Sequence, residues 1–393
     1  MIELLAPAGD LEKLKIAYLY GADACFIGGQ EYSLRARASN FSLAQIKEGA
    51  EFAHSLGKKL YVTTNIIPHN ENLAGFITYL KALEKTKIDG IIVASPYLVE
   101  TAKKHTKLPI HISTQQSVLN NYHLKYWEEK GAERIVLGRE LSLLEIAEIK
   151  KHAKAEIEAF IHGGMCSSYS GRCTLSNTFT LRDANRGGCA HSCRWDYEIY
   201  DGENKISHNI PFSMGSKDLQ TVSLIPKLIE IGVNSLKIEG RMKSIHYIAT
   251  VVSVYRQVID EYLKTGQIAD FSIYEQEIEK AENRETASGF LVHEPTAAGQ
   301  LYQNSIRKPS QTFVGIVVGK DQGYTVVEQR NHFKVGDTLE IFGPNKKAKK
   351  FVVENIYTED LSLLDAARHP KELVLLKIPF TSDNYDMLRL VNE

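Results

Sequence analysis

Four of the five cysteines in this 393-residue chain stand close together, at Cys166, Cys173, Cys189 and Cys193, with the spacing C-x6-C-x15-C-x3-C. Five cysteines are too few for a disulfide scaffold in a chain of this length, and such clustering favours metal ligation or catalysis. Four thiolates complement either a tetrahedral zinc ion or an iron–sulfur cluster held by four cysteines. Zinc knuckles usually carry C-x2–4-C pairs. One wide pair and one C-x3-C pair favour the bulkier cluster and leave zinc as the alternative. Gly163, Gly164, Gly171, Gly187 and Gly188 let the backbone come close to a buried centre. Cys25 sits in an apolar run and reads as a small packing residue. The surroundings are basic, with Arg172, Arg182, Arg186, Arg194 and His191 against Asp183 and Asp196, and aromatic, with Tyr169, Phe179, Trp195 and Tyr197. Cations interleaved with stacking surfaces suit a nucleotide or an RNA loop. Arginines paired with local acids are the plainer alternative.

Such a centre needs a scaffold, and the first ~265 residues repeat one pattern of apolar run, turn and helical period. The apolar runs are 2–5, 24–27, 60–64, 90–94, 109–114, 134–137, 156–161 and 235–239. Eight strands alternating with helices predict a (β/α)8 TIM-like barrel, with a Cys-rich insertion (163–223) after strand 7. A doubly wound open sheet is the alternative, disfavoured because no G-x-G-x-x-G follows the first strand. Strand alternation then selects side chains. Lys237, Glu239 and Arg241 share one face of Ser235-Leu236-Lys237-Ile238-Glu239-Gly240-Arg241, opposite Leu236 and Ile238. His111, Ser113 and Gln115 share a face, and Glu158 and His162 lie opposite Ile157 and Ile161. Polar residues facing a lumen near strand C-termini form a candidate reaction chamber, because barrel enzymes work at that end. His162 and Glu239 are expected to move protons. Lys237, Arg241 and Arg139 at strand ends are the cations expected to clamp a co-substrate if it is a dicarboxylate. Gln115, His111, Asn65, Arg182, Arg186 and Arg194 complete the expected substrate contacts.

Domain organisation is expected as a barrel over 1–270, a helical and loop connection over 271–309, and a small all-β barrel domain over 310–393. The last shows short alternating strands at 312–318, 324–328, 338–342, 351–356 and 373–378. Its Lys346-Lys347-Ala348-Lys349-Lys350 run is expected at a hairpin tip, as a solvated loop or a phosphate contact. The formal net charge of −1 neither demands nor forbids a nucleic-acid partner. No apolar run approaches the ~20 residues of a membrane helix, and no basic leader precedes the first strand, so a cytoplasmic protein is expected.

The stretch Glu158-Ala-Phe-Ile-His162-Gly-Gly-Met-Cys166-Ser-Ser-Tyr-Ser170-Gly-Arg-Cys173-Thr-Leu-Ser176 resembles the signature of the collagenase-like peptidase U-32 family. Arg182-Asp183-Ala-Asn185-Arg186-Gly-Gly-Cys189-Ala-His-Ser-Cys193-Arg194-Trp195 is similar to its tRNA-hydroxylating branch. Leu5-Ala6-Pro7-Ala8-Gly9, Ile112-Ser113-Thr114-Gln115, Lys237-Ile238-Glu239-Gly240-Arg241, and Asn283-Arg284 followed by Gly289-Phe290 also fit. The resemblance implies oxygen-independent, prephenate-dependent hydroxylation of the tRNA wobble uridine to 5-hydroxyuridine. It implies a [4Fe–4S] cluster on Cys166, Cys173, Cys189 and Cys193, with prephenate as oxygen donor and tRNA as partner. A paralogous U-32 subunit is a further candidate partner. Hydrolysis of peptide bonds, hydroxylation of another RNA base, and a non-catalytic RNA-binding role with structural zinc are the competing readings. Against a peptidase, His293-Glu294 lacks the second histidine of H-E-x-x-H, and there is no G-x-S-x-G.

Overall fold

A computed structural model describes residues 2–34, 40–207, 211–281, 284–302 and 310–391. Asn283 of the family resemblance and residues 303–309 of the expected connection lie outside them. Eight parallel strands form the barrel: β1 (Glu3–Pro7), β2 (Ala24–Gly28), β3 (Lys59–Thr64), β4 (Gly90–Val93), β5 (Ile110–Ile112), β6 (Arg134–Val136), β7 (Glu156–Gly163) and β8 (Ser235–Ile238). Each pairs with the next, and β8 closes the ring on both β7 and β1. Helices stand between them, started by side-chain caps that satisfy first-turn N–H groups. Asp10 accepts from the Lys13 amide, Ser42 and Ser142 form capping boxes with Gln45 and Glu145, and Ser244 accepts from the Tyr247 amide. No helix among the described residues is long and apolar enough to cross a membrane.

The expected alternation holds along most of the barrel. Leu4, Ile27, Val62, Ile91, Ile135, Ile157, Leu236 and Ile238 face outward into one core shared with the helices. Inward, Leu5, Ala24, Phe26, Tyr61 and Ile92 make a separate apolar layer across the lumen. Beneath that layer lies a polar plug. Arg134, 4% exposed on its side chain, reaches Glu3, Glu156 and Glu158, while Tyr61 Oη donates to Glu3 at 2.9 Å. Glu158 also accepts from Lys237 Nζ at 2.7 Å, which joins the plug to the chamber above.

From residue 311 the chain forms an eight-stranded antiparallel sheet around its own core of Val314, Val327, Leu339, Val374 and Leu388. One expectation is corrected there. Lys346-Lys347-Ala348-Lys349-Lys350 is not a hairpin tip but part of the edge strand Lys346–Val352, paired with Thr338–Gly343. The tip falls one step earlier, at Pro344-Asn345, with Asn345 at φ 57°. Lysines along an edge strand oppose edge-to-edge pairing with another chain. Lys346 itself is tied to Asp383 and Asp386 at 2.6 and 2.7 Å.

The sheet is bound tightly to the barrel. Tyr20 Oη donates to the Tyr385 carbonyl at 2.8 Å, and His246 stacks on Phe313 with ring centroids 5.3 Å apart. Arg389, fully buried, joins Glu340 of its own sheet to Glu277 of the helix Ser272–Glu279. Burial, then the charges of Arg389 and Lys280, hold the His246 imidazole at about 3 against an ordinary 6.5. The unfolded chain therefore takes up a proton below pH 6.5 that the folded state refuses. This contribution to stability is intact above that pH and declines toward pH 3, by up to ~1.4 kcal/mol per unit. The melting temperature should fall more steeply between pH 6.5 and 4 in the wild type than in His246→Gln. Equal slopes would remove His246 as a source of the acid sensitivity.

Candidate active site

The C-terminal ends of the barrel strands open into a cavity of about 290 Å³. Its floor is Ile92, Val136, Phe160 and Lys237; its walls include Asn65, Ser113, Gln115, Arg139, Glu239 and Arg241. The segment Met165–Gly171, directly after β7, closes one side and brings Cys166 to the cavity. Chain geometry explains the placement. At Gly171, with φ 71°, a Cβ would lie 2.1 Å from the Gln115 carbonyl oxygen, so the loop can lie directly on the turn after β5. Glu140, one residue beyond Arg139, accepts from the Ser170 amide at 2.8 Å and from its hydroxyl at 3.0 Å. The Ser117 hydroxyl donates to the Ser170 carbonyl from the other side.

Lys237 is 4% exposed and pairs with Glu158, while its ammonium stands 4.3 Å from the centre of the Phe26 ring. Burial lowers its pKa, against the pull of the Glu158 carboxylate. The Arg139 guanidinium carbon stands 3.8 Å from the centre of the Phe160 ring, and Arg139 donates to the Gly164 carbonyl. Arg241, 6% exposed, donates to Ser33 Oγ at 3.2 Å and to the Leu34 carbonyl. A Cβ at residue 28 would sit 1.9 Å from Arg241 Nη1, so only glycine admits the guanidinium there. On the facing wall Asn65 Nδ2 donates to Gln115 Oε1 at 2.7 Å, and Ser113 Oγ donates to the same oxygen at 2.8 Å. Gln115 Nε2 is buried with no hydrogen-bond partner among the described residues. An anion fits beside the three cations, and a planar group with hydrogen-bonding edges fits beside the amide pair.

The structure does not bring every expected residue here. His162 has the parity of Glu158 and Phe160, but a bulge between Lys237 and Ile238 pairs it with Ile238 and turns it outward. Its Nδ1 lies 3.1 Å from Tyr255 Oη, between Tyr255 and Tyr247 of the helix Ile245–Thr265. His111 does face the lumen, at the wrong end: it packs on Tyr61 in the plug, 4.6 Å between ring centres. Burial, with Arg134 and Lys237 nearby, holds its pKa well below the ordinary value. Arg186 is paired with Glu71. Arg194, 11% exposed, ties Asp218 and the Met165 carbonyl together at 3.0 Å each. Arg182 is half-buried and does not line the cavity. Glu140 and Phe160 line the cavity without having been singled out, whereas Glu158 was already placed on the lumen face. Phe160 shares the parity of Glu158; Glu140 carried no signal.

Among the described residues none of the four clustered cysteines is in a disulfide, and Cys166 and Cys189 are exposed. Burial raises the Cys193 thiol pKa, Arg194 opposes this, and the nearby Cys189 and Cys173 add to the rise. Cys193 therefore lies within electrostatic range of two of the other three. Among the described residues no three His, Cys, Asp or Glu side chains surround a point that a single metal ion could occupy. The donor set, four thiols with no carboxylate among them, fits a four-cysteine iron–sulfur cluster.

The profile of peptidase family U32 matches residues 9–301, and that of the peptidase family U32 C-terminal domain matches residues 309–389. The chain is 51% identical over 388 residues to tRNA hydroxylation protein P1 of Bacillus subtilis, covering 96% of this chain and 92% of the relative. It is 35% identical over 447 residues to tRNA hydroxylation protein P of Haemophilus influenzae, covering 99% and 96%. Over 263 residues, 67% of this chain and 40% of the relative, it is 37% identical to the 23S rRNA 5-hydroxycytidine C2501 synthase of Escherichia coli.

Proposed function

The chain belongs to peptidase family U32, and from that premise we propose that it hydroxylates C5 of the wobble uridine of tRNA, using prephenate as oxygen donor and a [4Fe–4S] cluster. The observation that carries this reading is the barrel-mouth cavity, where Cys166 meets a cationic wall and an amide wall. The full-length relatives named for tRNA hydroxylation support the substrate. A thiol protease is disfavoured because it needs one activated thiol, whereas Cys166 is one of four clustered cysteines that read as ligands.

In this reading Arg241, Arg139 and Lys237 bind the carboxylates of the donor. Glu158 keeps Lys237 charged despite its burial, and the Arg139 guanidinium stands over the Phe160 ring. The Asn65–Gln115 pair meets the edge of the uracil ring, with Gln115 Nε2 as the donor awaiting a partner. Glu239 lines the cavity and is the carboxylate placed to accept the proton leaving C5. Cys166, Cys173, Cys189 and Cys193 would hold the cluster, which when bound supplies redox or Lewis-acid chemistry at the cavity wall.

Protein purified without oxygen should contain about four irons and four acid-labile sulfides per chain. Cys189→Ala should lose both, together with the ability to convert uridine to 5-hydroxyuridine in unmodified tRNA, scored by nucleoside mass spectrometry. One zinc and no sulfide would sink the cluster. An active Cys189→Ala protein without iron would sink its role in the reaction.

A further inference from the structure

The segment carrying Cys166 has two sides. One faces the barrel cavity; the other faces an outer groove of about 630 Å³. Met165, Cys166, Ser167, Tyr169 and Phe290 line both and so form their common wall. The two spaces differ in charge. The barrel cavity presents Arg139, Arg241 and Lys237, the last paired with Glu158, against the carboxylates of Glu140 and Glu239. Among the lining residues of the groove the only lysine or arginine is Lys217, which is neutralised by Glu285 at 2.8 Å. The rest of its surface includes the Glu294 carboxylate, His293, Pro295, Ala298 and the Phe290 ring. At its edge Tyr169 is 58% exposed, a large ring left in water between two cavities. Ser216 Oγ, also in the lining, is buried with no hydrogen-bond partner among the described residues.

A phosphate or carboxylate would gain little here, because the only strong cation is already paired. A nucleobase would gain more, since rings stack on aromatic side chains irrespective of sequence and offer edges to a hydroxyl. We propose that the outer groove is a subsite for the base of an unpaired nucleotide directly flanking the target, stacked against Tyr169 and Phe290 and hydrogen-bonded by Ser216. Because the groove and the barrel cavity share one wall, the groove adjoins a base held in the barrel. The subsite rests on the RNA reading above and adds how the strand is held in register.

The test uses the full chain and an RNA hairpin with the target uridine in its loop, in which each flanking nucleotide is made abasic in turn. Removal of the base at one flank should weaken binding about tenfold, a typical stacking effect, with little change at the other. Ala298→Trp, which fills the groove, should bind intact RNA no better than the abasic form, with metal content and melting temperature unchanged. Ser216→Ala, a smaller change, should shrink the abasic penalty at that same flank. Equal affinity of the wild type for the intact and both abasic hairpins overturns the subsite while leaving hydroxylation standing. Failure of the intact hairpin to bind overturns the RNA reading, and the subsite with it.

Discussion

Glu158→Ala should cost the fold about 3–5 kcal/mol, the usual consequence of removing one partner from a buried ion pair. Glu158 is fully buried and serves two cations, Lys237 at 2.7 Å and Arg134 at 3.3 Å. Its loss would leave an ammonium without a counter-ion between the rings of Phe26 and Phe160. Lys237 already has a pKa lowered by burial, and without Glu158 it would lose the main influence opposing that shift. The variant should therefore also lose the ability to hold an anionic donor. Urea unfolding measures the first effect and donor affinity the second. Glu158→Ala/Lys237→Met should recover part of the stability but none of the activity. A single variant within 1 kcal/mol of wild type would show that water or a rearranged neighbour replaces the carboxylate.

Arg241→Ala is expected to lower product formation at least ~100-fold, about 3 kcal/mol of lost stabilisation, without loss of iron. The guanidinium is held by Ser33 Oγ and the Leu34 carbonyl and lines the cavity beside Glu239. Arg241→Lys keeps the charge but not the planar fork, so it should restore little. Titration of the donor would assign the defect: a raised KM with near-normal kcat means a binding clamp, and a lowered kcat with unchanged KM means that Arg241 acts in the transition state. Undiminished turnover in Arg241→Ala would remove it from the site.

The eight barrel strands were legible because each is a short apolar run with period-two alternation, and the same parity identified Lys237, Glu239, Arg241 and Gln115. Parity fails where a strand is irregular. The bulge opposite His162 turns that side chain toward Tyr255, and nothing in Phe160-Ile161-His162-Gly163 announces it. Parity also carries no height: His111 faces the lumen, but the stagger of the strands places it beside Tyr61 at the base. Two arginines near the cysteines show a third limit of a sequence reading. Their partners, Glu71 for Arg186 and Asp218 for Arg194, are distant in sequence, so their commitment to structure appears only once the insertion is folded against the barrel. The lysines at 346–350 look like a turn because they are polar, whereas an edge strand tolerates such a run on its solvent side.

The contacts that bind the C-terminal sheet to the barrel carry a consequence for how this chain can be cut or inherited. Ile316, Phe342 and Met387 of the sheet belong to the same apolar cluster as the barrel helices, and Arg389 has acidic partners on both sides of the boundary. Calorimetry should therefore record one heat-absorption peak for both parts. A chain ending before the sheet would uncover Tyr20 and His246 and become prone to self-association. A shorter homologue without the sheet would need substitutions at those two positions, so gain or loss of this module in evolution should leave its mark on the back of the barrel.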